Sequence, residues 1–556
     1  MHPDPVGDKI RRLSQSETPR VLDMFAGCGG LSLGLSAAGF RIEAAMEIDK
    51  LAARSHARNF YRHADASLVK LHAKARDITM IEPDELVKEL GLGAPEMAFD
   101  VIVGGPPCQA YARIGRAKLR EIAEHPEAFK VDPRADLYLR YLHYINALKP
   151  VAIMMENVPD IMNHGGRVIP EEMREMLDVM GYDARYSLIN SAFYGVPQMR
   201  DRVFLIAFHK LLKANIRFPK PTHYIKLPPG YQGTRDVAFK NINLFNPASG
   251  YMTVPDPAPS LVPAVTAKDA LDDLPAWTKH QTGELKRGAR NFNELFRYRR
   301  LQRLSEYMVL MRNWPGFESS EGVYDHVIRS LPRDGEIFRN MKSGDEYPAA
   351  LKVAVELFEA EAKKLRLKEG SEPHSILRRK MVPPYPVGSF PNRWWKLRED
   401  SPVRTLMAHI GKDTYSHIHY DSGQARCISV REAARLQSFP DGFVFEGTMN
   451  PAFRQIGNAV PPLMAKAIGT SMREVLAEAI FGHMKENADN FYAIPSSLSS
   501  GKAILISSPN GSIPGSTEKL SGTTPSEMPL SDSITLAAKT RTSSATRRNP
   551  PVLSSP

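Results

Sequence analysis

Short apolar segments alternate with amphipathic segments over the first 200 residues of the chain. The apolar segments predict strands, and the segments between them, with apolar positions at helical spacing, predict helices. Strands are predicted at 20–27, 41–49, 99–105 and 150–158, and helices at 31–39, from 50 to about 59, and at 135–148. This alternation is typical of an α/β fold with a parallel sheet. One more strand, DRVFLIAF (201–208), is predicted near an edge of that sheet.

The pattern changes after residue 210. Residues 217–234 are rich in proline and turn residues and predict a connector. The arginine-rich segment 284–311 repeats apolar residues at Phe292, Phe296, Leu304 and Met308, which predicts an amphipathic helix. Its basic face either contacts phosphates or is simply solvated. Helical patterns return at 429–443 and 452–481, and the low-complexity Ser/Thr/Pro/Gly sequence beyond predicts disorder.

The composition adds a few limits. A chain of 556 residues is too long for one core, so we expect two or more domains. Lys and Arg total 73 against 62 Asp and Glu, and this net charge of +11 favours a polyanionic partner, with an ordinary solvated surface as the alternative. Three cysteines without CxxC spacing indicate reduced thiols, neither a disulfide framework nor a zinc site. No signal peptide or membrane-span pattern is present, so we expect a soluble, intracellular protein.

The ends of the first two predicted strands carry a candidate nucleoside site. Gly27, Gly29 and Gly30 follow the first strand and allow a tight turn with close approach of a ligand. Glu47 closes the second strand, where an acid can bind ribose hydroxyls. NAD and S-adenosylmethionine both carry a ribose, and Ser32 stands where the third glycine of GxGxxG would be. A purely structural glycine turn is the alternative.

The ends of the later strands carry candidate catalytic groups. Cys108 follows two prolines at the end of the third strand, where the rigid step aims its thiol into the ligand crevice; a buried structural cysteine is the alternative. Glu156 closes an apolar strand, either as a functional carboxylate or as a capping or ion-pair partner. Gln198, Arg200 and Arg202 alternate along an extended segment and predict a ridge that meets phosphates or a base edge, or else a solvated edge strand.

In their order along the chain, these segments resemble the motifs of the C5-cytosine DNA methyltransferase family, of the prokaryotic restriction-modification type. LDMFAGCGGLSLGLSAAGF, AAMEID and RDI resemble its first three motifs; GGPPCQAY resembles the nucleophile motif, ENV the base-recognition motif and QMRDR the QxRxR motif. REAARLQSFPD resembles the ninth motif and RQIGNAVPP the tenth. One departure is Ala112, where the family often has Ser or Thr four residues after the cysteine.

The resemblance implies an α/β fold with a doubly wound Rossmann-like methyltransferase sheet and an inserted target-recognition domain of mixed structure. It implies methyl transfer from S-adenosylmethionine to C5 of a cytosine flipped out of a specific duplex DNA sequence. Cys108 would add to cytosine C6, Glu156 would hold the amine and N3, Arg202 would support the base near O2, and Arg200 would serve a phosphate or the loop. The cofactor pocket would be formed by Phe25, Gly27, Gly29, Gly30, Glu47, Asp77, Ile78, Pro106, Asn458 and Val460.

The implied domain organisation follows the motifs. It consists of an N-terminal arm (1–19), a catalytic and cofactor-binding domain (20–210), a target-recognition region (211–425), C-terminal motifs returning to the catalytic domain (426–482) and a disordered tail (483–556). The expected partner is double-stranded DNA, with a cognate restriction endonuclease acting separately. We expect a cytoplasmic, nucleoid-associated monomer and assign no metal, because His417 and His419 have no further ligand at suitable spacing.

Two other functions remain open at this point. An RNA methyltransferase acting on tRNA would use the same scaffold and chemistry, although the large basic insert favours DNA. A catalytically silent DNA-binding homologue is the second, and intact Cys108, Glu156 and Arg202 argue against it. An NAD-dependent enzyme is a more distant alternative, since no hydride-transfer site is visible.

Overall fold

The central feature of the molecule is a six-stranded mixed sheet. The computed structural model describes residues 4–107, 137–240, 249–276, 294–331, 333–388, 393–412 and 414–492. The strands of the sheet are β1 (Arg20–Met24), β2 (Arg41–Met46), β3 (Val101–Gly104), β4 (Ala152–Asn157), β5 (Tyr182–Asn190) and β6 (Asp201–His209). Their order is β2-β1-β3-β4-β6-β5, with β1 to β4 parallel and β6 antiparallel to both of its neighbours.

The helices of the first half of the chain are α1 (Pro5–Ser14), α2 (Gly30–Ala37), α3 (Lys50–Phe60), α4 (Ala66–His72), α5 (Pro83–Glu89), α6 (Pro95–Ala98), α7 (Leu137–Leu148), α8 (Ile169–Val179) and α9 (Pro229–Phe239). Those of the second half are α10 (Ala267–Leu271), α11 (Glu306–Arg312), α12 (Gly335–Asn340), α13 (Tyr347–Lys364), α14 (Glu372–Met381), α15 (Val430–Leu436), α16 (Met449–Asn458) and α17 (Pro462–Tyr492). Short 3₁₀ turns lie at Pro159–Asn163, Ser191–Tyr194, Lys210–Leu212, Ala408–Gly411 and Thr414–Ser416.

Helices cover both faces of the sheet, because successive strand residues point to opposite sides. Leu22 and Ile102 pack on one face with helices α7 and α8. Val21 and Val101 pack on the other face with α1, α2 and α17. The parallel strands are therefore buried on both sides, which explains their continuous apolar sequences. The predicted doubly wound α/β fold is confirmed.

The prediction that residues 201–208 form a strand near an edge of the sheet is confirmed. β6 lies between β4 and β5, and β5 is the edge strand. β5 was not predicted, although Tyr182, Ala184, Tyr186 and Leu188 alternate with more polar residues and are buried. That period-2 pattern was the available signal.

The basic amphipathic helix predicted over 284–311 is present only at its end, and residues 294–305 are not helical. Residues Phe296–Arg297 form a strand, β9, that pairs antiparallel with Gly322–Val323, β10. The helix α11 begins only after Ser305, whose hydroxyl accepts a hydrogen bond from the Met308 amide. This N-cap satisfies one of the free amides of the first turn, which fixes the start of the helix there. Phe292 and the rest of 277–293 lie outside the described residues.

The inserted region is of mixed structure, as expected, with short strands and helices. Its strands β7 (His223–Tyr224) and β8 (Val262–Pro263) form a second two-stranded sheet. Buried ion pairs join it to the ninth motif, since Arg435 of α15 donates to Asp273 at 3.0 Å and to Asp441 at 2.6 Å. The boundaries predicted for this region stay predictions.

Both ends of the chain differ from a simple arm and tail. Residues Pro5–Ser14 form a helix that buries Val6, Ile10 and Leu13 against the sheet and α17. At the other end, α17 continues to Tyr492, ten residues beyond the predicted start of the tail. Residues 493–556 lie outside the described part. Among the described helices, none has the length and apolarity needed to cross a bilayer.

Candidate active site

The glycine turn after β1 adopts a backbone that few side chains tolerate. Phe25, Gly27 and Gly29 all have positive φ angles, of +60°, +57° and +101°. This conformation costs little for glycine but strains Phe25, which is held half-buried at the carboxyl end of the strand. A Cβ atom on Gly29 would lie 2.4 Å from the ring of Phe60, so the turn is also closely packed.

Glu47 fixes the glycine turn to the next strand. Its carboxylate accepts hydrogen bonds from the Gly27 amide and from the Asp49 amide, each at 2.8 Å. Burial raises the pKa of Glu47, and these two backbone bonds oppose the shift. A carboxylate has about four acceptor positions, so two remain for a ligand hydroxyl.

The RDI segment lies next to Glu47. The Arg76 amide donates to the Glu47 carbonyl at 2.8 Å, which brings Asp77 and Ile78 to the same edge of the sheet. Asp77 is half-buried, and its Oδ1 accepts from the Thr79 amide at 2.9 Å. Ile78 is buried, and its carbonyl accepts from Arg140 Nε at 2.9 Å.

The tenth motif forms a wall against the glycine turn. A Cβ atom on Gly30 would lie only 2.3 Å from the Val460 carbonyl oxygen, so only glycine permits this contact. Asn458 is exposed at the last position of α16, and Val460 is buried two residues later. Residues separated by more than 400 positions in the sequence thus share one pocket edge.

Glu156, Arg202 and the Pro-Pro step come together where β3 and β4 end and β6 begins. Arg202 Nε donates to Glu156 Oε1 at 2.9 Å, and the two side chains are only 11% and 13% exposed. A Cβ atom on Gly105 would lie 3.0 Å from Glu156 Oε2. Asn157 Nδ2 donates to the carbonyl of the buried Pro106 at 2.7 Å, which ties the ENV segment to the Pro-Pro step.

Burial and the Glu156 carboxylate shift the pKa of Arg202 in opposite directions. Burial lowers the pKa of Arg202, whereas the Glu156 carboxylate raises it. The charged pair is therefore largely shielded from water, and electrostatic interactions are strong in such surroundings. A carboxylate and a guanidinium in contact can together bind a polar ring edge that offers both donors and acceptors.

The exposed ridge predicted for Gln198, Arg200 and Arg202 is not what the structure shows. Gln198 and Arg200 are buried, at 0% and 2% exposure. The Arg200 guanidinium donates to the carbonyls of Leu406 at 2.8 Å and Gly457 at 3.1 Å. Packing of the later motifs over this segment covers the two side chains, so Arg200 does not face a phosphate in this arrangement. Its part in the reaction stays a prediction.

Cys108 and Ala112 fall within 108–136, outside the described residues. The described chain reaches Pro107, which is exposed and lies one residue before the cysteine. The nucleophile assignment therefore continues to depend on the sequence.

The other two cysteines are buried. Burial raises the pKa of the Cys28 thiol, whose Sγ lies 3.7 Å from the Gln455 carbonyl, so it packs as a small apolar group. His417 and His419 are buried too, and burial lowers their pKa values to about 4 and about 3. Among the described residues, no three His, Cys, Asp or Glu side chains come together as a metal site.

Sequence reasoning missed several residues at the site. Ile48 and Met80 are apolar yet 66% and 76% exposed. Ile48 directly follows Glu47, and Met80 lies three residues after Asp77. An apolar residue next to a predicted ribose acid was the available signal for Ile48. Ser32, which departs from GxGxxG, is buried and donates to Asp23 at 2.5 Å. Burial raises the pKa of Asp23 to about 7.

Comparisons with known proteins agree with this geometry. The sequence profile of the C-5 cytosine-specific DNA methylase family matches residues 19–474. M.OihORF3336P of Oceanobacillus iheyensis is 37% identical over 472 residues, which cover 83% of this chain and 96% of that protein. The type II methyltransferase M.AgeI of Thalassovita gelatinovora is 28% identical over 483 residues, covering 82% of this chain and all of the relative. A solved structure of an E. coli prophage-encoded protein shares the fold, with a TM-score of 0.51, 22% identity and coverage of 83% and 99%.

The chain therefore belongs to the C-5 cytosine-specific DNA methylase family. The predicted family and DNA cytosine-5 methyltransferase activity are confirmed.

Proposed function

We propose that this enzyme transfers a methyl group from S-adenosylmethionine to C5 of a cytosine flipped out of a specific duplex DNA sequence. The observation that carries the proposal is the Glu156–Arg202 pair, which lies against Gly105 at the strand ends. The names of type II relatives support a modification enzyme of a restriction-modification system. We further propose that it acts in the cytoplasm as a monomer.

The residues near the glycine turn fit S-adenosylmethionine. Gly27 has a positive φ and nothing within 4 Å of a Cβ position, which leaves open space beside the turn. Glu47 has acceptor positions for ribose hydroxyls, and the exposed side chains of Ile48 and Met80 offer apolar surface to an adenine. Asp77, Ile78, Asn458 and Val460 would complete the pocket. When bound, S-adenosylmethionine supplies a methyl group on a sulfonium centre.

The base side fits a cytosine ring. Glu156 would accept from the exocyclic amine and, when protonated, donate to N3, while Arg202 would donate to O2. The Cys108 thiolate would form a bond to C6 and push the ring electrons toward C5. The developing negative charge on the ring would be stabilised by Glu156 and Arg202, which burial has already oriented.

The remaining steps would transfer the methyl group and restore the aromatic ring. S-adenosylmethionine, held beside the glycine turn and Glu47, would supply the methyl carbon to C5, and its sulfur would leave with the electron pair of the broken bond. A base then removes the C5 proton, the C6–Sγ bond breaks, and Cys108 leaves as the thiolate. The ring of the target base must lie outside the helix for these attacks, so the cytosine is flipped.

The lining of a cleft beside the QMRDR segment would contact the duplex. The cleft has a volume of about 990 Å³ and is lined by Met199 and by three cationic side chains, Lys226, Arg398 and Arg404, against one carboxylate, Asp400. The Arg404 guanidinium lies 4.5 Å from the centre of the Trp395 ring. Cations at such a surface attract phosphates without regard to sequence.

Three measurements test this function. Calorimetry should detect binding of S-adenosylmethionine, and bisulfite sequencing of host DNA carrying this gene should locate a methylated cytosine in one sequence context. A duplex containing 5-fluorocytosine should become covalently attached to the protein, and Cys108→Ser should abolish both the adduct and methyl transfer while cofactor binding persists. Methylation of tRNA in preference to duplex DNA, or no adduct, would contradict the proposal.

A further inference from the structure

Two buried side chains of the QMRDR segment clamp one residue of the segment before the ninth motif. Gln198 Oε1 accepts from the Leu406 amide at 2.9 Å, and Arg200 Nη1 donates to the Leu406 carbonyl at 2.8 Å. Arg200 Nη2 also reaches the Gly457 carbonyl at 3.1 Å. The segment that ends in Arg202 is therefore fixed to the C-terminal motifs by two buried side chains.

Gln437 extends this clamp to the cofactor side. Its Oε1 accepts a hydrogen bond from Gln198 Nε2, and its Nε2 donates to the Ala459 carbonyl at 2.6 Å. Gln437 is fully buried, like Gln198. The residue lies in REAARLQSFPD, and nothing in the pattern of that segment indicates a role for it.

The far end of this chain of hydrogen bonds touches the glycine turn. Ala459 precedes Val460, whose carbonyl packs against the Cα of Gly30 so closely that a Cβ there would lie 2.3 Å away. A second close approach of this kind lies at Gly457, where an added Cβ atom would be 2.5 Å from the Met407 carbonyl oxygen. Backbone packed this closely transmits a displacement, because it has no side-chain space to absorb one.

We propose that Gln437 is a positioning residue for methyl transfer, which sets the Ala459–Val460 wall of the cofactor pocket against the segment carrying Arg202. This inference rests on the proposed function, since it takes that pocket as the S-adenosylmethionine site. The amide is suited to the task because one end accepts from Gln198 and the other donates to Ala459. An apolar side chain of the same length fills the space but leaves the Ala459 carbonyl without its donor.

Gln437→Met is the primary test, with the affinity for S-adenosylmethionine measured by calorimetry on the full chain. We expect its dissociation constant to rise about tenfold, because the released wall no longer holds its place beside Gly30. The matched control is Tyr182→Phe, which also removes one buried donor to a backbone carbonyl, that of Pro150 at 2.8 Å, before the start of β4. It should lower the melting temperature as well, yet leave the dissociation constant within about twofold.

Gln437→Glu covers the case in which the methionine variant does not fold. A buried carboxyl has a raised pKa, so at pH 6 it is protonated and can still donate to Ala459, whereas at pH 9 it is ionised and cannot. Cofactor affinity of this variant should match that of the wild type at pH 6 and fall at pH 9, while the wild type changes less. Because ionisation of any buried carboxyl also destabilises the fold, the fall in affinity at pH 9 supports the proposal only where thermal melts show that the variant is still folded at that pH.

The outcomes separate the two proposals. If the wild type does not bind S-adenosylmethionine, the proposed function and this inference fail together. If the wild type binds and Gln437→Met binds equally well, only the inference fails. Equal loss of affinity in Gln437→Met and Tyr182→Phe would also overturn it, because the effect would then follow general destabilisation.

Discussion

Arg202 Nε donates to Glu156 Oε1 at 2.9 Å between two neighbouring antiparallel strands, β4 and β6. The pair lies at the carboxyl end of β4, where parallel α/β sheets bind their ligands. Neither residue could have been assigned to the other from the sequence, because 46 positions separate them and a different strand lies between them in chain order. The contact joins the ENV and QMRDR motifs at one end of the sheet.

Glu156→Gln tests whether this pair acts on the base. The neutral amide keeps the size of the side chain but stabilises ring charge less well, so kcat should fall about 10²- to 10³-fold. Affinity for S-adenosylmethionine should remain within about twofold, since the cofactor residues lie on other strand ends. Steady-state methylation assays and calorimetry measure the two quantities.

The matched control is Glu172→Gln. It breaks the ion pair between Glu172 Oε1, in helix α8, and Arg167 Nε, just before that helix, at 2.9 Å. This variant should lose stability and keep its kcat. Comparable loss of kcat in both variants would assign the Glu156 effect to folding, and the proposed role would be wrong.

Glu47→Gln tests the cofactor side. Its carboxylate accepts from both the Gly27 and the Asp49 amides, and an amide group offers only one acceptor oxygen. One of the two backbone bonds is lost, the glycine turn loosens, and affinity for S-adenosylmethionine should fall about tenfold. Glu43→Gln on the same strand, where the carboxylate binds the exposed Arg41, should leave the affinity unchanged by calorimetry.

The strand ends of β1 to β4 were predictable because their chemistry is local. Apolar segments fix each parallel strand, and the glycine turn, Glu47 and Glu156 follow directly at their ends. The burial of Gln198 and Arg200 was not predictable in the same way. Alternation places side chains on one face of an extended segment, but only tertiary packing decides whether the C-terminal motifs cover that face.

The errors elsewhere have the same physical origin. The edge strand β5 was not predicted, and its place is set by antiparallel pairing with β6 over its whole length. The arginine-rich segment at 294–311 has helical spacing in its apolar residues, yet pairing of Phe296 with Val323 and the Ser305 cap override it. Long-range partners settled both cases.

Lys9 gives the N-terminal helix a pH-dependent contribution to stability. It is buried, and its Nζ donates to the carbonyls of Leu148 at 2.8 Å and Lys149 at 2.9 Å. Burial lowers its pKa from 10.5 to about 7, although Asp100 opposes the shift. Between pH 7 and 10.5 the unfolded chain binds more protons than the folded one, so the free energy of unfolding rises with pH in that window.

Lys9→Met removes this titration. The stability of the wild type relative to the variant should increase from pH 7 to pH 9, by at most about 1.4 kcal/mol per pH unit, in chemical denaturation series. Lys149→Met, an exposed neighbour, should show no such trend against the wild type. A wild-type-to-Lys9→Met difference that stays constant with pH would show that Lys9 titrates alike in both states.

Gly30→Ala separates steric from conformational effects at the cofactor pocket. The added Cβ would lie 2.3 Å from the Val460 carbonyl oxygen, which is backbone and cannot rotate away. The wall must therefore move, and we expect affinity for S-adenosylmethionine to fall at least tenfold with a lowered melting temperature.

Gly39→Ala is the control, because Gly39 has a φ of +87° with nothing within 4 Å of its Cβ position. It should lose stability through backbone strain alone and bind the cofactor like the wild type. Calorimetry and thermal melts on both variants decide the question, and unchanged affinity in Gly30→Ala would show that the Ala459–Val460 wall does not border the cofactor.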